Sequence, residues 1–252
     1  MYYIGIDIGS TGAKTAVLDE AGRIIDTFAQ PTGWSSVDTA EAIRKTLVEK
    51  GFSPEEGKVV STGYGRVAVP FSDKTVTEIT CHAKGATRIF DDSDICVIDI
   101  GGQDTKIILV EDGFVKDFVM NDKCSAGTGR FLEVMANTLA MRPDELCTLA
   151  KSGGNTSISS LCTVFAESEV ISLIGRGEKK ENIAFGVVDS IVKKVAIQAK
   201  RIYRPGVRAV LTGGLCECDY ICEALSKELK TEVTTLPEAR FAGAIGAALL
   251  AM

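Results

Sequence analysis

Histidine is almost absent from this sequence, since His82 is the only one among 252 residues. Imidazole is the side chain most often used for acid–base catalysis near neutral pH, so a histidine-based mechanism has a single candidate. We expect His82 to be a packed helix residue or an interface contact rather than a catalytic base.

The sequence also lacks a cluster of basic residues and a long apolar segment. Its net charge is −6 and its pI about 5.0, which disfavours binding to nucleic acid or to an anionic membrane. The most apolar stretch, 242–252, is too short to cross a bilayer. The N-terminal residues do not show the basic and apolar regions of a signal peptide. We therefore expect a cytosolic protein without nucleic-acid or membrane partners.

A strand–turn–strand–turn–strand pattern occurs twice. Asp7-Ile8-Gly9 in the first copy matches Asp99-Ile100-Gly101 in the second. Each aspartate is followed seven residues later by a lysine, Lys14 or Lys106. This internal repeat, in a chain that is 45% hydrophobic and 25% charged, predicts two α/β lobes with a cleft between them.

Helices are predicted between and after the two copies from apolar periodicity. Ser36 is expected to cap a helix over Val37–Lys50, and Pro143 to begin a helix over Pro143–Ala150. The last helix is predicted over Ala239–Met252.

Three glycine-rich turns each follow an apolar strand, at residues 7–11, 99–104 and 212–214. Glycine lets backbone N–H groups approach a phosphate closely. The aspartates at the first two strand ends can hold Mg²⁺, directly or through water. Each turn alone could be an ordinary hairpin, but their order and the repeat favour a nucleotide site.

The order of these turns resembles the actin, Hsp70 and sugar-kinase superfamily of ATPases, over the whole chain. The resemblance implies a two-lobed, ribonuclease H-like α/β fold with duplicated βββαβα units and a nucleotide cleft between the lobes. We place the first lobe at residues 1–92, rejoined by the last helix at 240–252, and the second at 93–239.

In that superfamily the two aspartate turns clamp the β- and γ-phosphates from opposite lobes, and a later Gly-Gly turn meets the adenosine. Carried onto this sequence, the resemblance implies Mg²⁺ at Asp7 and Asp99, and catalytic roles for Asp7, Asp99, Gln103 and Asp104. The residues expected to bind ATP or ADP are Gly9, Ser10, Thr11, Gly12, Ala13, Lys14, Gly101, Gly102, Gln103, Thr212, Gly213, Gly214, Pro237 and Gly243.

The second turn departs from the superfamily pattern at Gln103 and Asp104, where many members have a third glycine followed by threonine or serine. Either residue could orient the attacking water or bind Mg²⁺, and the sequence leaves both open.

Eight cysteines are many for a cytosolic chain, where disulfides are rare. Cys124 and Cys162 each precede a predicted helix, whose N-terminus stabilises a thiolate. A 4Fe–4S cluster usually takes four thiolates, so two per chain would need a two-fold homodimer. Most free cysteines are apolar core residues, as we expect for Cys81, Cys96 and Cys147. A rival set, Cys216, Cys218 and Cys222, lacks a fourth ligand.

Four segments, at residues 62–66, 81–86, 121–131 and 162–170, resemble the ATP-dependent activators of 2-hydroxyacyl-CoA dehydratases. That family also includes ATPase subunits of benzoyl-CoA reductase. The resemblance implies a homodimer sharing one 4Fe–4S cluster held by Cys124 and Cys162. It also implies ATP-driven electron transfer to an iron–sulfur dehydratase or a benzoyl-CoA-reductase-like protein, with a ferredoxin or flavodoxin as electron source.

Two other functions remain open at this level. A small-molecule kinase of the same superfamily would need a substrate pocket with a basic aspartate. A non-enzymatic actin-like module would leave Cys124 and Cys162 without a role.

Overall fold

A computed structural model describes residues 1–159 and 162–252 of the chain. Two compact units make up the fold. The first comprises Met1–Val97, Ile108–Phe118 and Leu236–Met252, and the second comprises Ile98–Ile107 and Val119–Thr235. The lobe limits proposed from the sequence stay a prediction.

The first sheet has five strands in the order β3-β2-β1-β4-β5. The strands are β1 Tyr3–Ile8, β2 Gly12–Leu18, β3 Ile24–Pro31, β4 Lys58–Thr62 and β5 Lys74–Thr75. β1 runs antiparallel to β2 and parallel to β4. Its alternate residues Ile4, Ile6 and Ile8 belong to one apolar core, because successive side chains of a strand point to opposite faces.

Three helices belong to this first unit: α1 Ser36–Glu49, α2 Glu78–Phe90 and α8 Ala242–Leu249. Helix α1 supplies Ile43 and Leu47 to the β1 core, and α8 packs against β1 and α2. The predicted cap of α1 is wrong by one residue, because the hydroxyl of Ser35 accepts the Asp38 N–H at 3.2 Å.

The last helix is also shorter than predicted. Pro237–Phe241 forms a 3₁₀ turn, and the α-helix begins only at Ala242. Proline fits the first turn of a helical segment but supplies no N–H, and here the short 3₁₀ turn precedes the α-helix. Two other short 3₁₀ segments lie at Pro54–Glu56 and Arg66–Ala68.

The second sheet repeats the topology of the first, with the order β10-β9-β6-β7-β8. Its strands are β6 Ile95–Ile100, β7 Thr105–Glu111, β8 Phe114–Asn121, β9 Arg208–Gly213 and β10 Val233–Thr234. Asp112 and Gly113 between β7 and β8 both have positive φ, as a two-residue hairpin requires. The matching strand order confirms the internal repeat.

The described part of the second unit has five helices: α3 Gly129–Thr138, α4 Pro143–Ala150, α5 Thr163–Gly175, α6 Lys180–Ala199 and α7 Asp219–Leu229. The buried residues Val187, Ile191 and Val195 lie along α6, which packs against α4 and α7. The prediction for α4 is confirmed at both ends. Among the described helices, none has the length and apolar character that a membrane span requires.

Candidate functional site

Asp7, the residue before the last of β1, is a buried carboxylate enclosed by two glycines. A methyl group on Gly63 would lie 2.6 Å from Asp7 Oδ1, and one on Gly243 would lie 2.5 Å from Asp7 Oδ2. Both distances are too short for a real contact, so only glycine lets the chain approach the carboxylate this closely. Lys14 lies directly opposite Asp7 on β2.

His82 lies next to the same carboxylate, with Nε2 at 3.8 Å from Asp7 Oδ2. It projects from α2 and is only 6% exposed, which confirms the expectation of a packed helix residue. Its contact with Asp7 was not predicted, because no spacing rule links a helix residue to a strand end 75 residues earlier.

Asp99, the residue before the last of β6, has the equivalent position in the second unit and lies within a network of buried polar groups. The Thr212 hydroxyl donates to Asp99 Oδ1 at 2.9 Å. Lys106 Nζ lies 2.7 Å from Asp104 Oδ2 and 3.5 Å from Asp99 Oδ2, with all three side chains nearly inaccessible. Two carboxylates lie against one ammonium group, and carboxylate oxygens are the ligands that a hard divalent cation such as Mg²⁺ prefers.

The turns after the two aspartates have the same backbone hydrogen bond. Gly9 N–H donates to Gly12 O at 3.2 Å, and Gly101 N–H donates to Asp104 O at 2.9 Å. In the second turn Gln103 is exposed, whereas Asp104 is buried against Lys106. Gln103 and Asp104, the two alternatives for orienting the attacking water or binding Mg²⁺, therefore have different surroundings.

The remaining residues expected at the first turn differ in exposure. Ser10 is half-buried, Thr11 is exposed and Ala13 is buried. Gly102 is half-buried in the second turn, and Pro237 begins the 3₁₀ segment before α8.

A threonine–glycine pair lies beside each aspartate, and only one of the two, Thr212-Gly213, was predicted to belong to the nucleotide site. Thr212-Gly213 ends β9, and its counterpart Thr62-Gly63 follows the same path at the end of β4. Gly213 has φ +85° and Gly63 has φ +89°. The next glycines donate equivalent hydrogen bonds, from Gly65 N–H to Ile8 O at 2.9 Å and from Gly214 N–H to Ile100 O at 3.0 Å. The Thr62-Gly63 pair could have been identified from the sequence, because a Thr-Gly pair occurs at the end of a short apolar strand in both copies of the repeat.

A cavity of about 490 Å³ opens beside the Gly214 turn, within the second unit. Its walls include Gly214, Leu215, Tyr220, Leu132 and Pro143. Charged residues, Asp144, Lys151, Glu217 and Asp219, also line it. The apolar and aromatic part of the lining, next to a glycine turn, suits a flat heterocycle such as adenine.

The segments that carry Cys124 and Cys162 are joined by a hydrogen bond. The hydroxyls of Ser125 and Thr163, the residues directly after the two cysteines, lie 2.7 Å apart. Asn121 Nδ2 donates to Cys124 O at 2.8 Å, which fixes the first segment. Cys162 is exposed and Cys124 is half-buried.

Only one of the two cysteines lies at a helix N-terminus. Cys162 is the N-cap of α5, as predicted, but Cys124 precedes the first residue of α3 by five positions. The first N–H groups of α3 are already used, because Gly129 donates to Gly101 O at 2.9 Å and Arg130 to Gly102 O at 2.7 Å. These two N–H groups are therefore not free to stabilise a thiolate at Cys124 in the way that the sequence had led us to expect.

The remaining cysteines differ in burial. Cys81, Cys96 and Cys147 are buried, as predicted. In the rival set, Cys216 is buried and the Cys222 thiol donates to Val233 O at 3.1 Å. In residues 1–159 and 162–252, no three His, Cys, Asp or Glu side chains are grouped to hold a metal ion.

Comparison with known proteins places these features in a family. The model of the BadF/BadG/BcrA/BcrD ATPase family matches residues 4–251. The chain is 41% identical over 256 residues to the (R)-2-hydroxyglutaryl-CoA dehydratase activating ATPase of Acidaminococcus fermentans, covering 100% of this chain and 97% of that protein.

Solved structures of other proteins superpose on this chain. The activator of the 2-hydroxyisocaproyl-CoA dehydratase from Clostridium difficile, solved with bound ADPNP, superposes with a TM-score of 0.92 at 39% identity. That match covers 100% of this chain and 94% of the other. A ROK family glucokinase from Streptomyces griseus gives a TM-score of 0.62 at 15% identity over 99% of both chains, which shows the fold alone.

These findings confirm the actin, Hsp70 and sugar-kinase type of fold. The chain belongs to the BadF/BadG/BcrA/BcrD ATPase family.

Proposed function

We propose that this protein is an ATP-driven single-electron donor that activates an iron–sulfur 2-hydroxyacyl-CoA dehydratase or a related benzoyl-CoA-reductase-like enzyme. The observation that carries the proposal is the Ser125–Thr163 hydrogen bond, which holds the two cysteine segments side by side in a chain of this ATPase family. A kinase or an actin-like module has no use for such a pair of accessible thiols.

The two cysteines fit half of a 4Fe–4S site. Two thiolates per chain leave the cluster incomplete, and the two-fold axis of a homodimer would bring the four that it needs. Helix α5 starts directly after Cys162 and exposes Val164, Phe165, Ile171 and Ile174, an apolar surface that a second copy would cover. When bound, the cluster would supply a site that accepts and releases one electron, loaded by a ferredoxin or flavodoxin.

The aspartate turns would bind the phosphates and Mg²⁺ of ATP. Asp7 and Asp99 are buried carboxylates at strand ends, next to turns whose glycines leave room for a phosphate. Exposed Gln103 is the better candidate for orienting water, because Asp104 is paired with Lys106. The cavity beside Gly214 would take the adenosine.

A direct main-chain link joins the second phosphate turn to the Cys124 segment. The Gly101 and Gly102 carbonyls accept the first N–H groups of α3, and Thr105 Oγ1 donates to Gly127 O at 2.7 Å. A shift of this turn on hydrolysis would therefore move the residues that follow Cys124. Helix α5 would follow through the Ser125–Thr163 contact. This link is how we expect nucleotide state to control electron release.

Anaerobic purification of the full chain tests the proposal. We expect a brown homodimer with about four irons, which Cys124→Ser or Cys162→Ser abolishes. Cys222→Ser is the matched control and should keep its iron, because that thiol bonds to a backbone carbonyl away from both segments.

Coupling to ATP is tested separately with the partner enzyme. Reduction of the dehydratase should require hydrolysable ATP and Mg²⁺. A colourless, iron-free protein that phosphorylates a metabolite would contradict the proposal. Electron transfer at the same rate without hydrolysis would refute the coupling alone.

A further inference from the structure

Arg66 is a cation next to the first aspartate turn, and the proposed function gives it no role. It begins the short 3₁₀ segment Arg66–Ala68, directly after Gly65. Gly65 N–H donates to Ile8 O at 2.9 Å, and Ile8 is the last residue of β1. The main chain at Arg66 is therefore one residue away from a direct contact with the strand that carries Asp7.

The Arg66 side chain folds back over its own turn. Its Nη1 donates to Gly63 O at 3.0 Å, and the Arg66 backbone N–H donates to the same oxygen at 3.3 Å. The buried Ser61 hydroxyl donates to Arg66 O at 2.9 Å, which holds the main chain on the other side. Gly63 is also the glycine on which a methyl group would lie 2.6 Å from Asp7 Oδ1. The guanidinium is therefore held against one of the two residues that enclose the Asp7 carboxylate.

The charge of Arg66 is available to an anionic ligand. Within residues 1–159 and 162–252, none of the ion pairs between side chains involves Arg66, and its side chain is half-buried. A guanidinium carries five N–H donors in a planar fork, and Gly63 O takes one of them. Such a fork pairs with phosphate through two parallel hydrogen bonds. A phosphate is therefore the ligand that suits this position.

The internal repeat is an independent indication. Gly65 and Gly214 donate equivalent hydrogen bonds to the last residue of β1 and of β6. The residue after Gly214 is Leu215, which lines the cavity proposed for adenosine, and the residue after Gly65 is Arg66. The same position of the two units is thus apolar where a heterocycle is expected and cationic where a phosphate is expected.

We propose that Arg66 is a binding residue for a phosphate group of the nucleotide at the first aspartate turn. Lys14 on β2 and Arg66 after β4 flank the end of β1 from opposite sides, because β1 lies between these two strands. The lysine supplies a point charge, whereas the fork of Arg66 also fixes the orientation of the phosphate. This inference rests on the proposed nucleotide site and adds a residue to it.

The experiment uses the full chain, purified without oxygen, and titrates it with the fluorescent ADP analogue mant-ADP in excess Mg²⁺. Arg66→Gln removes the charge but keeps an amide N–H that can donate to Gly63 O. We expect the mant-ADP Kd to rise about tenfold for Arg66→Gln, because a charge-assisted pair with phosphate is lost. Arg66→Lys, which keeps the charge without the fork, should show a smaller rise.

Arg88 supplies the matched control. Its guanidinium also donates to a glycine carbonyl, Gly22 O at 3.5 Å, but that glycine lies in the hairpin at the far end of β2. Arg88→Gln should leave the mant-ADP Kd unchanged. Thermal unfolding without nucleotide should give the same Tm for Arg66→Gln and the unmodified chain, since glutamine preserves the bond to the turn.

The possible failures are distinguishable. An unchanged Kd in Arg66→Gln would overturn the role of Arg66, while the iron content and the ATP-dependent reduction of the partner leave the proposed function standing. A lower nucleotide-free Tm, with the same Kd in Arg66→Gln and Arg66→Lys, would show that Arg66 only holds its turn, which also overturns the proposal. Failure of the unmodified chain to bind mant-ADP would refute both the role of Arg66 and the nucleotide site.

Discussion

Replacing Gly213 by alanine should destabilise the second unit strongly, whereas the same change at the next residue should not. Gly213 has φ +85°, a conformation that costs an L-residue about 1–2 kcal/mol. A methyl group there would lie 2.5 Å from Ile100 O and 2.8 Å from Asp99 Oδ1, and relieving such contacts costs about 1–3 kcal/mol more. The total loss in unfolding free energy is about 2–5 kcal/mol.

Gly214 is the matched control, because its φ is not positive and no atom lies within 4 Å of a methyl group placed there. Gly214→Ala should change the free energy of unfolding by at most about 0.5 kcal/mol. Thermal unfolding of the two variants without nucleotide provides the comparison. For a chain of this size, the Gly213→Ala loss corresponds to a fall in Tm of roughly 4–20 °C. Equal effects at the two positions would refute the geometry described for the Asp99 turn.

Three further predictions concern the buried ion pair, the buried thiols and the cysteine segments. Lys106→Met leaves two carboxylates buried without their cation, so urea unfolding should show a loss of about 3–5 kcal/mol, and a loss below 1 kcal/mol would contradict the pairing. Burial raises the pKa of the Cys81 and Cys96 thiols from 9.0 to about 12. Each buried thiol stabilises the fold in its neutral form, and this contribution to the free energy of unfolding is complete below pH 9 and is lost as pH rises toward 12. Between pH 8 and 10 the contribution falls by about 1.4 kcal/mol per thiol. Cys96→Ala should reduce that slope in urea titrations, and an unchanged slope would contradict it. Ser125→Ala and Thr163→Val should each cost about 1 kcal/mol and lower the iron content, with the double variant no worse than either single one; additive losses would show that the hydroxyls act separately.

Periodicity and turn chemistry made much of the fold predictable from the sequence. The two aspartate turns, the hairpin at Asp112-Gly113 and the start of α4 at Pro143 all depend on local signals, which the sequence contains in full. The repeat then predicted a duplicated unit, and the two sheets have the same strand order. Errors occurred at helix ends, as at Ser35, where one serine follows another and only the hydrogen-bond geometry identifies the cap.

The surroundings of the candidate site were less predictable, because they depend on contacts between residues far apart in sequence. His82 and Gly243 reach Asp7 from two different helices, and neither spacing nor residue type indicates that they do. The surroundings of Cys124 were hard to predict for a related reason. The N–H groups that would have stabilised its thiolate are bonded to the turn at Gly101, a pairing that only the folded chain reveals.

The link between the turn at Gly101 and α3 determines which substitutions this segment can accept. Because Gly129 and Arg130 donate through their backbone, almost any side chain at position 130 preserves the connection. Proline is the exception, since it has no N–H to donate. At position 129 the side chain must also be small, because a methyl group there would lie 3.1 Å from Gly101 O. Two chains with few identical residues in this segment can therefore transmit the same displacement, which makes residue identity here a poor measure of shared mechanism.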